Sequence, residues 1–334
     1  MICTHADYRS LIGHHSRRRN AAPNLDAWRC VPMFSRYVGR FAPSPTGPLH
    51  FGSLIAAVGS YLQARTQSGL WRVRIDDLDP PREEPGAAAH ILRTLEVYGL
   101  HWDGDVMYQS RRVLVYKAAL KDLISAGHAY YCSCTRKQIE AIARFGTYGP
   151  IYPGICRKRI AAGDRDRSLR VLTHDQPIGF FDEHRGYIIQ KLESEVGDFI
   201  VYRADGNVAY HLAAVVDDAE QGITQVVRGA DLLDSTPRQI YLQRLLRLPT
   251  PTYLHLPIAI HEPGQKLSKQ TRARPISLTN PKPYLVAALK FLNHLPPAEV
   301  GASSLDELWS WAFGHWSPAR IPYLREIKPT SPQL

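Results

Sequence analysis

Hydrophobic positions in the first half of the chain fall into short continuous runs that alternate with stripes at helical spacing. Tyr37-Val38 is a short apolar run that passes into a proline- and glycine-rich segment, residues 39–53. Leu54-Ile55-Ala56-Ala57-Val58 follows, with Tyr61-Leu62 one turn behind. That order predicts a strand, a rigid loop and a helix. Leu70–Ile75 predicts a second strand and residues 86–98 an alanine-rich helix. Residues 110–126 predict another helix, with Val113, Tyr116, Leu120, Leu123 and Ile124 on one stripe. Strands alternating with helices of this length imply an α/β fold with a parallel sheet built from βαβ units.

After Tyr130-Tyr131 the alternation breaks into a cysteine-bearing stretch, residues 132–160, that reads as an insertion. Residues 199–203 and 208–210 flank Ala204-Asp205-Gly206-Asn207, which predicts a hairpin. Gln225–Gly229 predicts a further strand. Residues 236–248 predict a helix opened by Thr236-Pro237-Arg238-Gln239, a capping box with proline at its first position. Residues 254–260 predict a strand and residues 284–294 a helix. Beyond 295, prolines and tryptophans follow without clear periodicity. The organisation expected is an extension over 1–35, a first half of the α/β domain over 36–130 and an inserted subdomain over 131–200. The second half then runs over 201–280 and a short helical segment over 281–334.

Composition narrows the class of protein. The 334 residues suffice for one large domain with an insertion, and 44% hydrophobic with 22% charged residues is globular composition. No apolar run approaches the length of a bilayer span, so no transmembrane helix and no membrane partner are expected. The net charge of +10 favours a polyanionic partner. Residues 1–35 carry five arginines against two aspartates, so most of the excess belongs to the body. This leader has no apolar stretch of the secretory kind; its arginines and few acids also suit an organellar transit peptide, but it reads rather as a disordered extension, or as sequence upstream of a start at Met33. Five cysteines, three of them close together in mid-chain, suit a metal in a reducing compartment better than a disulfide framework. A cytoplasmic location follows as the expectation.

Several segments carry chemistry. A loop feeding a helix N-terminus presents free N–H groups and a favourable dipole to a phosphate. Gly47 and Gly52 let backbone approach a nucleotide, and His50 adds a donor at the helix mouth. Downstream, Gly264-Gln265-Lys266-Leu267-Ser268-Lys269-Gln270 places two lysines three apart around a serine, a cationic clamp for charge building on phosphates. Arg40 closes the first strand, where its guanidinium is able to face a carboxylate. Cys132, Cys134 and Cys156 offer three soft thiolates to a metal.

The segment 39–53 resembles the first signature of the class I aminoacyl-tRNA synthetases, the His-Ile-Gly-His motif, in the form used by the glutamyl and glutaminyl branch. Residues 264–270, about 215 residues downstream, resemble the Lys-Met-Ser-Lys-Ser motif, with Leu267 and Gln270 departing from it. Glutamine at the last position is similar to the shorter glutamyl-queuosine tRNA(Asp) synthetases. The resemblance covers residues 36–295 and implies a Rossmann-type catalytic domain with a zinc-bearing, acceptor-binding-like insertion. Only 64 residues follow Gln270, so no anticodon-binding domain is expected.

That resemblance implies a set of roles. His50, Lys266 and Lys269 would be catalytic. Pro43, His50, Gly52, Ser53, Lys266, Ser268 and Lys269 would bind ATP. Arg40, Phe41, Ala42, Pro43, Ser44, Asp76, Tyr210 and Arg228 would bind glutamate. Arg228 lies in Val-Arg-Gly-Ala-Asp-Leu, residues 227–232, where the family's arginine reads the substrate side-chain carboxylate and so rejects an amide. Asp76 stands where the family has a glutamate that holds the α-ammonium; one methylene less retracts the carboxylate by about 1.5 Å, enough to admit a bridging water. Zinc would be structural, held by Cys132, Cys134, Cys156 and Tyr152, with Tyr148 and His174 as alternatives for the fourth ligand. The implied reaction is tRNA-independent activation of L-glutamate with ATP and Mg²⁺, then transfer to queuosine at the wobble position of tRNA(Asp). The protein would act as a monomer on the anticodon arm. A shortened glutamyl-tRNA synthetase charging a tRNA 3′ end, and a non-catalytic binding module on the same fold, are the other readings.

Overall fold

The computed structural model describes residues 36–157, 167–262, 265–266 and 274–329. Val38–Phe41 forms a strand with every residue buried, parallel to Leu70–Ile75 in a register that sets Val38 opposite Leu70 and Phe41 opposite Val73. Met107–Tyr108 continues this sheet in parallel beyond Leu70–Ile75. The helix Phe51–Thr66 crosses between the first two strands. It is buried on almost every side, through Phe51, Leu54, Ile55, Ala57, Val58, Tyr61, Leu62 and Ala64, which is why its sequence is apolar all round rather than striped.

A second parallel set consists of Gln225–Gly229, Thr252–Leu256 and Ile178–Asp182, with Gly186–Gln190 antiparallel at its edge. The two sets meet where Thr224 N–H donates to the Val38 carbonyl (2.9 Å) and Val38 N–H donates to Thr224 Oγ1 (2.9 Å). The C-terminal ends of the parallel strands therefore gather at one edge, where α/β sheets place their ligands. Ile178–Asp182 comes from the inserted region, so that region lends a strand to the main sheet. The rest of it forms an antiparallel sheet of Ala129–Cys132, Ser168–Val171 and Ile200–Tyr202 over a small cluster of Cys132, Ile139, Tyr152 and Cys156.

Several elements differ from the pattern-based expectations. The predicted helix over 110–126 begins as a 3-10 turn, Gln109–Arg112, and becomes α-helical at Val113–Ser125. Its seam is Tyr116, Ala119, Leu120 and Leu123, while Val113 and Ile124 are exposed because they sit at the rim of the packed layer. The expected hairpin reduces to one bridge between Tyr202 and Val208. Tyr210 does not continue a strand but opens the helix Tyr210–Glu220, which buries Leu212 to Asp218.

The predicted capping box at Thr236 is absent. The helix Thr236–Leu245 follows a 3-10 turn, Ala230–Ser235, and its N-cap Ser235 makes no side-chain cap bond. The Thr236 hydroxyl is used elsewhere, as described below. The predicted strand over 254–260 is two strands, Thr252–Leu256 and Ile258–Glu262, because Pro257 has no N–H for a ladder. The second pairs with Gln265–Lys266 and with Glu326–Ile327.

The chain past 295 is more regular than its sequence suggests. After the helix Lys282–Phe291 come Ala298–Ala302 and Leu305–His315, the latter with a true capping box between Ser304 and Glu307. Leu308, Trp309 and Ala312 are buried in the main core. Trp309 Nε1 donates to the Tyr98 carbonyl (2.9 Å) and Trp316 Nε1 to Gln63 Oε1 (2.8 Å), stitching this segment to the α/β core.

Candidate active site and metal centre

Four strand ends supply the polar groups at the carboxyl edge of the sheet: Arg40, Asp76, Arg228 and His255. All four are buried. The helix Tyr210–Glu220 brings Asp217 and Asp218 beneath them. Arg40 Nε donates to Asp218 Oδ1 (3.2 Å) and its Nη1 to the Val227 carbonyl (3.5 Å). Arg74, fully buried, donates from Nη1 to the same Asp218 oxygen (2.6 Å) and from Nε to Asp76 Oδ1 (2.7 Å). The predicted pair Arg40 and Asp76 is thus joined through Arg74 and Asp218, residues the sequence reading did not single out. Arg74 stands two residues before Asp76 in the segment 74–79, which resembles a family segment, and Asp218 is marked only as a charge following an apolar run.

Electrostatics follow from that packing. Burial pushes the Asp76 carboxyl up to about 6, although Arg74 beside it favours the anion. Asp218 pays the same cost of burial, yet Arg40 and Arg74 together hold it below the usual carboxylate range. Asp217 accepts from Gln109 Nε2 (2.7 Å), Arg112 Nε (2.7 Å) and Tyr116 Oη (2.8 Å). The floor of the site is therefore a paired network of charges, and breaking one member leaves another stranded.

Arg228 is fixed from several directions. Its Nε donates to His255 Nε2 (3.1 Å), its Nη2 to Thr236 Oγ1 (2.9 Å) and the Leu232 carbonyl (3.3 Å), and its Nη1 to Tyr210 Oη (3.5 Å). Thr236 gives up helix capping for this contact. Behind it, His255 Nδ1 lies 2.6 Å from Asp182 Oδ2. Burial, helped by the Arg228 charge, pushes the imidazole down to about 4, so it is neutral. Tyr210 is about a third exposed and stands at the rim of the site.

The phosphate-loop prediction acquires a geometry. Gly47 adopts φ +121°, a conformation for glycine, and a Cβ there would meet the Glu84 carboxylate at 3.1 Å. Asp76 N–H donates to the Pro43 carbonyl and Glu84 N–H to the Pro45 carbonyl (3.0 Å each), so the loop is braced from the second strand onward. Ala42 and Pro43 are half-buried and Ser44 is exposed. The Phe41 ring stacks on Trp71 in the core (6.2 Å between centroids), and its backbone pairs with Val73 in the sheet.

His50 is the buried N-cap residue of the helix Phe51–Thr66, whose first turn contains Gly52 and Ser53 and no acidic residue. His50 bridges to Pro275, and Ile276 N–H donates to the Leu49 carbonyl (3.0 Å). Of the second signature, the backbone of Lys266 pairs with Ile260. Ser268 and Lys269 lie outside the described residues.

The three predicted cysteines converge. Cys132, Cys134 and Cys156 place their sulfurs within 4.8 Å of one another, a cluster able to hold a metal ion. Tyr152 Oη lies 3.3 Å from Cys132 Sγ and 3.6 Å from Cys134 Sγ, and Cys134 Sγ lies 3.6 Å from Cys156 Sγ. A tetrahedron with Zn–S bonds of about 2.3 Å has S···S edges of about 3.8 Å, so these spacings fit four donors around one zinc. Tyr148 is placed toward Gln190 and His174 is exposed. Arg170 covers the Tyr152 ring, a contact the sequence reading missed.

Residues 37–282 match the family of class I tRNA synthetases (E and Q), catalytic domain. The chain is 54% identical over 286 residues to the glutamyl-Q tRNA(Asp) synthetase of Chromobacterium violaceum, covering 86% of this chain and 95% of that protein. It is 55% identical over 285 residues to the protein of that name from Thiobacillus denitrificans (85% and 95%), and 50% identical over 290 residues to that of Pseudomonas aeruginosa (87% and 97%). A glutamate tRNA ligase from Elizabethkingia meningosepticum, solved with its amino acid, shares the fold at TM-score 0.70 and 23% identity, covering 88% of this chain and 68% of that one. The chain belongs to the class I glutamyl and glutaminyl synthetase family and, within it, to the glutamyl-Q tRNA(Asp) synthetases. Among the described residues no helix is long and apolar enough to cross a membrane.

Proposed function

We propose that the protein activates L-glutamate with ATP and Mg²⁺, without tRNA, and transfers the glutamyl group to queuosine at the wobble position of tRNA(Asp). It would act in the cytoplasm as a monomer. Relatives named for that reaction at half identity support the substrate. The observation that carries the chemistry is Arg228, a buried cation locked beside Tyr210 at the carboxyl edge of the sheet. A guanidinium fixed there pairs with a side-chain carboxylate and is left unpaired by an amide.

In the first step a glutamate α-carboxylate oxygen attacks the α-phosphorus of ATP and pyrophosphate leaves. Asp76 receives the α-ammonium, and Arg40 supports the acidic floor through Asp218. His50 and the N–H groups of Gly52 and Ser53 meet the phosphates, with Pro43 against the nucleotide, while Lys266, Ser268 and Lys269 follow the charge that builds on them. In the second step a queuosine hydroxyl attacks the carbonyl and AMP leaves. Cys132, Cys134, Cys156 and Tyr152 would hold one zinc, which supplies a structural cross-link within the inserted region and no open position for chemistry. The basic surface meets the phosphates of the anticodon arm.

Transfer of labelled glutamate to tRNA(Asp) with and without queuosine tests this function. Labelling only of the queuosine-containing tRNA is expected. Charging of tRNA(Glu), or labelling indifferent to queuosine, overturns the proposal in favour of a 3′-end synthetase.

A further inference from the structure

The inserted region reaches the candidate glutamate pocket through one carboxylate. Asp182 ends the strand Ile178–Asp182, and its Oδ1 accepts the backbone N–H groups of His184 (3.1 Å), Arg185 (2.8 Å) and His255 (3.3 Å). Its Oδ2 is left for the His255 imidazole at 2.6 Å. Both residues are fully buried. An ionised carboxylate only accepts, so His255 Nδ1 must carry the proton. On the far side Arg228 Nε–H only donates, so His255 Nε2 must be the bare nitrogen that receives it at 3.1 Å. Each donor in this line has one acceptor, and reversing the imidazole tautomer would set two N–H groups against each other.

We propose that Asp182 and His255 are positioning residues for glutamate selection: Asp182 fixes the tautomer of His255, and the bare Nε2 of His255 fixes the plane of the Arg228 guanidinium. With Nε held by His255 and Nη2 by Thr236 and Leu232, the fork is turned so that Nη1 faces Tyr210, the rim of the site. Tyr253 backs the arrangement, stacked parallel on the His255 ring (6.1 Å, 11°) with the Arg228 guanidinium carbon 5.7 Å from its own centroid. Arg228 thus meets a substrate carboxylate with its torsions already set, and less of the binding energy is spent on ordering it. This inference rests on the proposal that Arg228 reads the glutamate side chain.

The sharpest variant is Asp182→Asn. Its oxygen can keep all three backbone contacts, so the turn survives, while its amide nitrogen donates to His255 Nδ1 and drives the imidazole proton onto Nε2. Glutamate-dependent ATP–pyrophosphate exchange should show the KM for glutamate raised about 10- to 100-fold, the worth of a hydrogen bond to a charged group. The KM for ATP and kcat at saturating glutamate should stay within about threefold. An unchanged glutamate KM in a folded Asp182→Asn protein overturns the inference. Imidazole ¹⁵N shifts of the wild-type protein at neutral pH give a second reading that needs no variant. Protonated Nδ1 and bare Nε2 at His255 are expected, and the opposite tautomer overturns the inference. Arg228→Gln separates the two proposals. If it leaves the glutamate KM unmoved, the reading of Arg228 fails; if it raises that KM while Asp182→Asn does not, only the positioning relay fails.

Discussion

Arg170 lies face-on over Tyr152, its guanidinium carbon 4.0 Å from the ring centroid. Arg170 is itself buried and held by the Asp198 carbonyl through Nη1 (2.7 Å). Burial and the neighbouring thiols push the Tyr152 phenol up, and a cation against the ring works the other way, toward the phenolate in which Tyr152 would serve as a ligand in the proposed zinc site. Tyr152→Phe should therefore weaken zinc binding by at least the about 10- to 100-fold typical of losing a supporting partner, and Cys134→Ala should weaken it further. Competition with a chromophoric chelator, with metal counted by mass spectrometry, checks both. Full zinc retention by Cys134→Ala would exclude this ligand set.

In the proposed glutamate site, removing the charge of Arg228 would strand the substrate carboxylate. Arg228→Gln should cost about 2–4 kcal/mol of glutamate binding, or roughly 30- to 900-fold in KM, and should narrow the gap between glutamate and glutamine as substrates. Exchange assays with both amino acids measure this directly.

A pH dependence follows from Asp76. Burial raises its carboxyl to about 6, so in the free enzyme the acid is neutral below that pH and ionised above it. Only the carboxylate attracts an ammonium, so kcat/KM for glutamate should climb from pH 5 to pH 7 with a midpoint about 6 and then level off. Asp76→Asn should give a lower and flatter profile. A wild-type profile that is flat over this range would show that Asp76 does not meet the ammonium.

Trp309 tests the C-terminal stitching. Its ring packs edge-on against Tyr61 (5.1 Å) and stacks with Phe313 (5.6 Å), while its N–H is bonded to Tyr98. Trp309→Ala should lower stability by about 3–5 kcal/mol and leave the glutamate KM of the folded fraction unchanged. Urea unfolding followed by exchange assays separates the two effects.

What was legible in the sequence was local. Leu70–Ile75 and Gln225–Gly229 lie where their buried apolar residues put them, while the first strand, read from Tyr37-Val38, runs on to Phe41 through Gly39 and the buried Arg40. The helix Tyr210–Glu220 was hidden because its N-cap, Ala209, carries no capping side chain, and because Val215 and Val216 are β-branched. Leu305–His315 had its signal in Ser304 and Glu307, obscured by the surrounding tryptophans.

The same divide runs through the site. Arg40, Asp76, Arg228 and the cysteines were readable from their segments. Asp218, His255 and Asp182 were not, since their partners lie far along the chain: Asp218 bonds Arg40 across 178 positions and Asp182 bonds His255 across 73. His255 left the mark of a polar residue within an apolar run, between Leu254 and Leu256, while Asp182 and Asp218 only follow one. Thr236 shows the converse, a residue whose sequence context announces a helix cap and whose hydroxyl is spent on Arg228 instead.

The bond from Asp182 to His255 also bears on how this protein is able to diverge. The cysteine-bearing region looks modular, a natural unit for exchange between homologues or for shortening by design. Yet one of its strands carries the carboxylate that faces the imidazole behind Arg228. On the proposed relay, a chimera that keeps the cysteines but replaces the turn at Asp182 would keep its cysteine cluster and lose its taste for glutamate. The unit of inheritance would then be larger than the cysteine cluster, its far boundary set by a single side chain.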